Sequence, residues 1–260
     1  MSPQTKETTS KDGTRIAFDR FGQGPPLILV VGAFNDRRTG APLAAALAPH
    51  FTVLSYDRRG RGGSGDAATY AVEHEIEDLD ALIRFAGGSA AVFGFSSGAV
   101  LALRAASAGL PITKVALYDT PPAQPAEHVS ALAALIAAGR RGDAVEYFQL
   151  RVVGIPEAIV AQLRHAPFRP ALEAMAHTLV YDARIVDYGD AMPAFAASIR
   201  QPVLAVAGGS GPPIMREVAT MLARSLPAAT PVTLDGATHD IDPVSLGPVL
   251  VRFLDDKSAA

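Results

Sequence analysis

Residues 91–103, AVFGFSSGAVLAL, place two hydrophobic segments on either side of the short sequence Gly94-Phe95-Ser96-Ser97-Gly98. The first segment is a continuous apolar run, typical of a buried strand, and the second continues with a different period. A strand that turns directly into a helix through G-x-S-x-G presents its serine at the helix N-terminus. Ser96 is therefore the candidate nucleophile, and the backbone N–H of Ser97 is a candidate donor to a developing oxyanion. The alternative is a glycine-rich turn whose serines have no chemical role.

The composition narrows the class of protein. The chain has 260 residues, of which 49% are hydrophobic and 19% charged, with a formal net charge of −3 and no cysteine. These values are typical of a globular protein, exclude disulfides and thiolate nucleophiles, and argue against a nucleic-acid partner. The histidines lack metal-ligand spacing, and no apolar run approaches the ~18 residues of a membrane span. We expect no metal, no cofactor, no membrane partner and a cytoplasmic location, and the oligomeric state stays open.

Hydrophobic patterns along the chain indicate alternating strands and helices. Apolar runs predict strands at 14–21, 26–32, 51–57, 90–95, 112–119, 202–209 and 231–236. Amphipathic segments predict helices at 41–50, 72–88, 98–109, 214–227 and 243–256. This alternation favours an α/β fold with a largely parallel sheet. Between 120 and 200 the strand signals stop, and helical stretches separated by proline and glycine predict an inserted helical domain.

A nucleophilic serine needs a base, and one of the six histidines stands where it can serve. His239 follows a late strand, in the loop DGATHDIDP at 235–243. Because the carboxyl ends of parallel strands lie along one edge of a sheet, this loop can reach Ser96. The alternative is a solvated or structural loop histidine.

The strand order, the turn at 94–98, the glycine turn YDRRGRGGSG at 56–65 and the segment GATHD at 236–240 resemble the α/β-hydrolase superfamily. The resemblance covers nearly the whole chain. It implies a mostly parallel eight-stranded sheet with helices on both faces and a helical cap inserted after the sixth strand. The implied domains are a core of residues 1–119 and 201–260 and a cap, or lid, of residues 120–200.

The resemblance also implies the order serine, acid, histidine along the chain. The acid usually follows the strand at 202–209, but Gly211 occupies that position. A minority of the family places the acid after the preceding strand, which points to Asp119. Asp240 and Asp242 are competing acids, and Asp119 could instead only cap the start of the insertion.

A second oxyanion donor is implied after an early strand, where the family has a His-Gly pair. This chain has Val31-Gly32 there, but the donor is a backbone group, so Ala33, or alternatively Phe34, can still serve. We expect four further residues to contact an apolar part of a small-molecule substrate: Phe34, Phe95, Met175 and His177.

The hypothesis for function is a serine hydrolase that cleaves a small ester, lactone or thioester. Ser96 would form an acyl-enzyme, with His239 as the base and Asp119 as the acid that orients it. Because the fold hosts many chemistries, three alternatives stay open: a non-hydrolytic cyclase or lyase, a cofactor-free perhydrolase, and a ligand-binding protein without catalysis.

The glycine turn also matches the dinucleotide fingerprint G-x-G-x-x-G, at Gly60, Gly62 and Gly65. The fingerprint should open a helix at once, whereas DAATYAVE comes next here, so we interpret it as a structural turn. Three arginines of this turn are expected at the surface or in salt bridges: Arg58, Arg59 and Arg61.

Overall fold

The computed structural model describes residues 4–189 and 191–256. Within these ranges one sheet contains eight strands: β1 (Gln4–Thr9), β2 (Arg15–Phe21), β3 (Pro26–Val30), β4 (Thr52–Tyr56), β5 (Ala90–Phe95), β6 (Ile112–Tyr118), β7 (Val203–Gly208) and β8 (Ala229–Leu234). Their order across the sheet is β1-β2-β4-β3-β5-β6-β7-β8. The pairs β1–β2 and β2–β4 are antiparallel, and all other neighbours are parallel.

Helices connect the strands and form the insertion. They are α1 (Arg37–Leu47), α2 (Val72–Phe85), α3 (Ser97–Ser107), α4 (Glu127–Ala137), α5 (Arg141–Tyr147), α6 (Glu157–Leu163), α7 (Arg169–Ala174), α8 (Leu179–Val186), α9 (Met192–Ser198), α10 (Pro213–Ser225) and α11 (Pro243–Asp255). A π-helical turn covers Phe148–Val153, and a 3₁₀ turn covers Ala176–Thr178.

The chain forms two compact units. Residues Ala123–Gly189 make the smaller unit, which contains α4 to α8, and the sheet with the remaining helices makes the larger unit. The smaller unit is shorter at both ends than the insertion expected at 120–200. The difference at the C-terminal end is α9, which packs against α3 in the larger unit.

Helices cover the sheet of the larger unit on both faces. One group consists of α1, which packs on β4, and α11, which packs against α1. Another consists of α3, which packs on β5 and β6, together with α2 and α9. All six residues of β7 are buried, as expected for a parallel strand covered on both sides. The predicted α/β fold with an eight-stranded, mostly parallel sheet is confirmed.

Two elements differ from the sequence prediction. The first strand, β1, has the polar sequence QTKETT and lies exposed at the edge of the sheet, so it carries no hydrophobic alternation. Helix α1 begins at Arg37 rather than at residue 41, because Asp36 caps it by accepting the Arg38 N–H at 2.9 Å. An aspartate at this position stabilises the first turn of a helix.

The smaller unit is a helical body with its own polar contacts. Helix α4 packs against α5 and α8. The His128 Nδ1 atom lies 2.9 Å from the Tyr147 hydroxyl, and the Arg169 guanidinium donates to the Gly142 carbonyl at 2.7 Å. The first of these contacts joins α4 to α5, and the second joins α7 to α5.

Gly98, in the first turn of α3, provides a test of the packing between this helix and β3. A Cβ atom at this position would lie 2.2 Å from the Val30 carbonyl oxygen, so the backbone of one element would have to move. We expect Gly98→Ala to lower the free energy of unfolding by about 1–3 kcal/mol, measured by urea denaturation. The matched control is Gly247→Ala in α11, where an added Cβ meets no atom within 4 Å and should stabilise the helix by about 0.5–1 kcal/mol. Equal effects of the two substitutions would contradict this account of the packing.

Candidate active site

Ser96 occupies a strained turn between β5 and α3. Its backbone angles are φ 55° and ψ −126°, in a region that residues other than glycine rarely adopt. Its N–H donates to the Tyr118 carbonyl on the neighbouring strand at 3.0 Å. A conformation of this kind costs about 1–3 kcal/mol and tends to occur at functional sites. The strain therefore supports a functional role for the serine.

Close backbone approaches surround this turn. A Cβ atom at Gly94 would lie 2.5 Å from the Ala99 Cα atom, so the strand and the helix can meet only at a glycine. A Cβ atom at Gly32 would lie 2.8 Å from the Ser96 Cβ and 3.3 Å from its Oγ. The loop after β3 thus lies directly against the Ser96 side chain.

Asp119 and His239 are in contact, although they are far apart in sequence. His239 Nδ1 lies 2.8 Å from Asp119 Oδ2, and the other carboxylate oxygen accepts the Gly208 N–H at 2.9 Å. Asp119 is fully buried at the end of β6, with φ 47°, whereas a third of the His239 side chain is exposed. The aspartate is therefore fixed within the protein, and the histidine ring reaches from it toward solvent.

Aromatic neighbours hold the loop that carries His239. The Phe95 ring lies 4.8 Å from the His239 ring and 5.7 Å from the Tyr118 ring, centroid to centroid. The Tyr118 hydroxyl donates to the Thr238 carbonyl. Burial, with the negative charge of Asp119 beside it, holds the pKa of Tyr118 well above its usual range, so the hydroxyl keeps the proton that it donates. Sequence reasoning missed Tyr118, since nothing in the pattern distinguishes it from other strand aromatics.

The alternative acid positions have different surroundings. A Cβ atom at Gly211 would lie 3.7 Å from Asp119 Oδ2 and 3.8 Å from the His239 backbone nitrogen. The position that the resemblance assigns to the acid and the position of Asp119 therefore converge on one point. The Asp242 carboxylate caps α11, accepting the Val244 and Ser245 N–H groups, and the Asp240 carboxylate accepts the Ile241 N–H.

The two groups proposed as oxyanion donors belong to Ser97, which follows Ser96 directly, and to Ala33, which follows the Gly32 that lies against the Ser96 side chain. Ser97 is the first residue of α3 and is buried, and the N–H groups of a helix's first turn point out of its N-terminus. Ala33 lies in the loop between β3 and α1. The next residue, Phe34, has φ 62°, and the Asn35 side chain donates to the Ala33 carbonyl at 2.6 Å.

The expectation of surface arginines in the glycine turn is wrong, because all three side chains are buried. Arg58 forms an ion pair with Glu75 at 2.6 Å, and Arg59 forms one with Asp78 at 2.7 Å. The acidic partners project from the buried side of α2. Arg61 instead donates to the Gly32 carbonyl at 2.6 Å. The expectation of salt bridges holds for the first two arginines.

The interior of the glycine turn is occupied by the carboxylate of Asp57. Its Oδ2 accepts the Gly63 N–H at 2.6 Å, and a Cβ atom at Gly62 would lie 2.2 Å from the same oxygen. In a dinucleotide-binding loop the N–H groups of such a turn face a phosphate. Here Asp57 takes that place, which supports the interpretation of the segment as a structural turn.

The remaining residues predicted to bind substrate lie in both units. Phe34 and Phe95 belong to the larger unit, and Met175 and His177 belong to the smaller one. The Nδ1 atom of His177 lies 3.0 Å from the Arg141 guanidinium, so its ring takes part in the smaller unit's own contacts.

The described residues contain neither a metal-binding cluster nor a membrane span. In the ranges 4–189 and 191–256, no three His, Cys, Asp or Glu side chains are grouped so that they could hold a metal ion. No helix in these parts of the chain is long and apolar enough to cross a membrane.

Comparisons with known proteins agree with this arrangement. The sequence model of the alpha/beta hydrolase family matches residues 27–246. A solved alpha/beta hydrolase from Sphaerobacter thermophilus DSM 20745 is 51% identical, with a TM-score of 0.89 over 96% of this chain and 100% of that chain. The solved enol-lactonase from Burkholderia xenovorans LB400 is 25% identical, with a TM-score of 0.73 over 96% of this chain and 100% of that chain.

A further relative is the uncharacterized hydrolase YraK of Bacillus subtilis (strain 168), which is 37% identical over 100 residues. That match spans 37% of this chain and 37% of the relative, well under two thirds of its length. The family match, by contrast, covers most of the chain and includes both the turn at Ser96 and the loop of His239. The chain belongs to the alpha/beta-hydrolase family and is a hydrolase.

Proposed function

We propose that this protein is a serine hydrolase that cleaves a small ester, lactone or thioester through an acyl-enzyme on Ser96. The observation that carries the proposal is the contact of 2.8 Å between His239 and the buried Asp119, formed at the sheet edge where Ser96 occupies its strained turn. A serine is activated as a nucleophile by an adjacent base, and a third group typically orients that base. These three residues supply those parts in the order that the family uses.

In the proposed mechanism His239 is first the base and then the acid. Asp119 accepts a hydrogen bond from Nδ1–H, which leaves Nε2 to take the Ser96 hydroxyl proton. Ser96 Oγ then bonds to the substrate carbonyl carbon, and the imidazolium returns the proton to the departing alcohol or thiol. Water attacks the acyl-enzyme by the same route, releasing the acid and restoring Ser96. The carboxylate of Asp119 stabilises the imidazolium throughout.

The oxyanion of each tetrahedral intermediate would accept hydrogen bonds from the backbone N–H groups of Ser97 and Ala33. Removing one such donor from a serine protease costs about 2.7–4 kcal/mol of transition-state stabilisation. Neither donor depends on its own side chain, which explains how valine at position 31 can replace the histidine of the family pattern without loss of the donor.

The substrate is proposed to be a small molecule with an apolar moiety. The Phe95 ring is buried beside His239, so one of the proposed reacting groups has an apolar neighbour, and Phe34 follows in the loop whose Gly32 lies against Ser96. The similarity to an enol-lactonase supports a cyclic or linear carboxylic ester as the substrate class. We also propose that Met175 and His177 contribute to substrate selection.

Ser96→Ala tests the nucleophile. We expect a fluorophosphonate probe to form a covalent adduct on the wild-type protein, mapped by mass spectrometry to Ser96, and to leave the variant unlabelled. The matched control is Ser107→Ala, at the other end of α3, which should label like the wild type. An adduct that persists in Ser96→Ala would identify another nucleophile and overturn the proposal.

Asp119→Asn tests the acid. An amide cannot hold the imidazole in the required tautomer, so kcat for p-nitrophenyl acetate should fall by about 10⁴-fold while the protein stays folded. Asp240→Asn is the matched control, since that side chain is exposed and accepts only a local N–H; it should keep kcat within about twofold. Loss of activity in Asp240→Asn alone would transfer the role of acid to Asp240.

Relocating the carboxylate gives a second test of the same role. Because a Cβ atom at Gly211 would lie 3.7 Å from Asp119 Oδ2, the double variant Asp119→Gly/Gly211→Asp should regain part of the activity that Asp119→Gly loses. Recovery, measured as kcat on the same ester, would show that a carboxylate at this point is what His239 needs. A double variant no more active than Asp119→Gly would contradict the convergence of the two positions.

A further inference from the structure

Backbone carbonyl groups of the loop between β3 and α1 accept hydrogen bonds from side chains. The Arg61 guanidinium donates through Nη1 to the Gly32 carbonyl at 2.6 Å and to the Asn35 carbonyl at 3.2 Å. The Asn35 side chain donates to the Ala33 carbonyl at 2.6 Å. Three positions of this short loop therefore have their backbone orientation determined by side-chain hydrogen bonds.

The peptide that joins Gly32 to Ala33 connects Arg61 to the reacting groups. A trans peptide is planar, and its C=O and N–H point in opposite directions. The Gly32 carbonyl and the Ala33 N–H belong to the same peptide, so a donor that fixes the first also fixes the second. The Gly32 side of this loop lies against Ser96, as the distance of 3.3 Å from a Cβ at Gly32 to Ser96 Oγ indicates.

The hydrogen bond from Arg61 also polarises this peptide. A charged donor on an amide oxygen draws electron density toward that oxygen and makes the N–H of the same peptide a stronger donor. Arg61 is almost fully buried, so water screens its charge weakly. Its positive charge therefore lies behind the N–H that is proposed to face the oxyanion.

The glycine turn holds Arg61 in place. The Arg61 N–H donates to the Arg58 carbonyl at 3.1 Å, and the Arg61 carbonyl accepts the Ser64 N–H at 3.0 Å. The Asp57 carboxylate binds the Gly63 N–H at 2.6 Å and the Arg37 N–H, at the start of α1, at 2.8 Å. The turn and the loop are thus tied together at both of the loop's ends.

We propose that Arg61 is a positioning residue for the oxyanion site: its guanidinium orients and polarises the Gly32–Ala33 peptide, so that the Ala33 N–H is the donor to the oxyanion. This inference rests on the proposed serine hydrolase function. It gives a role to the glycine turn, which takes no part in the proposed mechanism. It also favours Ala33 over Phe34, because the peptide of the Ala33 N–H receives a charged donor, whereas that of the Phe34 N–H receives only the neutral amide of Asn35.

The test uses Arg61→Lys with Arg59→Lys as a matched control, because both guanidiniums are buried but only Arg61 binds the Gly32 carbonyl. The measurements are kcat and KM for p-nitrophenyl butyrate, inhibition by phenylboronic acid, which forms a tetrahedral adduct on an activated serine, and the melting temperature. A lysine ammonium is a compact point charge that lacks the planar fork of arginine, so we expect Arg61→Lys to lower kcat by about 10-fold or more.

Three further readouts separate positioning from packing. In Arg61→Lys, KM should stay within about twofold, inhibition by phenylboronic acid should weaken in parallel with kcat, and the pH profile of kcat/KM should keep its shape, because the His239–Asp119 contact is untouched. Arg59→Lys should keep the wild-type kcat even if its melting temperature falls. Asn35→Ala should lower kcat less than Arg61→Lys does.

Wild-type kcat in Arg61→Lys would overturn the inference. Equal losses of kcat in Arg61→Lys and Arg59→Lys, in step with lower melting temperatures, would also overturn it, by showing a packing role. A larger loss in Asn35→Ala than in Arg61→Lys would assign the donor to Phe34 instead. Absence of a Ser96 adduct in the wild type would refute the serine hydrolase function itself. A normal adduct together with an unchanged kcat in Arg61→Lys would refute only the role of Arg61.

Discussion

The contact on which the site depends is the backbone approach between β3 and the start of α3. Gly98 lies against the Val30 carbonyl, and Gly32 lies against the Ser96 side chain, at distances that leave no room for a Cβ atom. This approach brings the loop after β3 and the N-terminus of α3 to the same serine. Both segments carry backbone N–H groups, and these are the groups proposed above as donors to the oxyanion. The two glycines are therefore requirements of the site's geometry.

Backbone strain collects at the end of the sheet where these segments meet. In the described parts of the chain, the residues other than glycine with positive φ are Phe34, Ser96 and Asp119. They come after β3, β5 and β6, which are neighbours in the sheet. Each such conformation costs about 1–3 kcal/mol and persists only where the surroundings determine it. The N–H of Ser96 is bound by the Tyr118 carbonyl, and that of Asp119 by the Val206 carbonyl, so the sheet itself holds two of the three.

Two features of the sequence predict the fold: the local pattern of hydrophobic residues, and the order of motifs along the chain that resembles the family. The parallel strands carry continuous apolar runs because both faces are covered, and G-x-S-x-G predicts the turn because only glycine permits the close approaches at Gly94 and Gly98. The polar edge strand β1 could not be predicted from its sequence. It forms because it pairs with β2, and it has no buried face that would require hydrophobic residues. The burial of the arginines in the glycine turn could not be predicted for a related reason. Their partners Glu75 and Asp78 come from a helix that looks ordinarily charged, and only the folded arrangement shows that these charges neutralise one another inside the protein.

The surroundings of Asp119 show how two neighbouring strands bring separate segments of the chain to one point. Strands β6 and β7 are parallel neighbours with Tyr118 opposite Val206, so the loops after both strands begin at the same edge. The loop after β7 carries glycine at 211, and the N–H of Gly208, the last residue of β7, donates to the Asp119 carboxylate. Arg216 binds the carbonyls of Gly208, Gly209 and Gly211 and so fixes this loop. The segment from which the family resemblance predicts an acid therefore binds the Asp119 carboxylate in this chain, and the same carboxylate contacts His239.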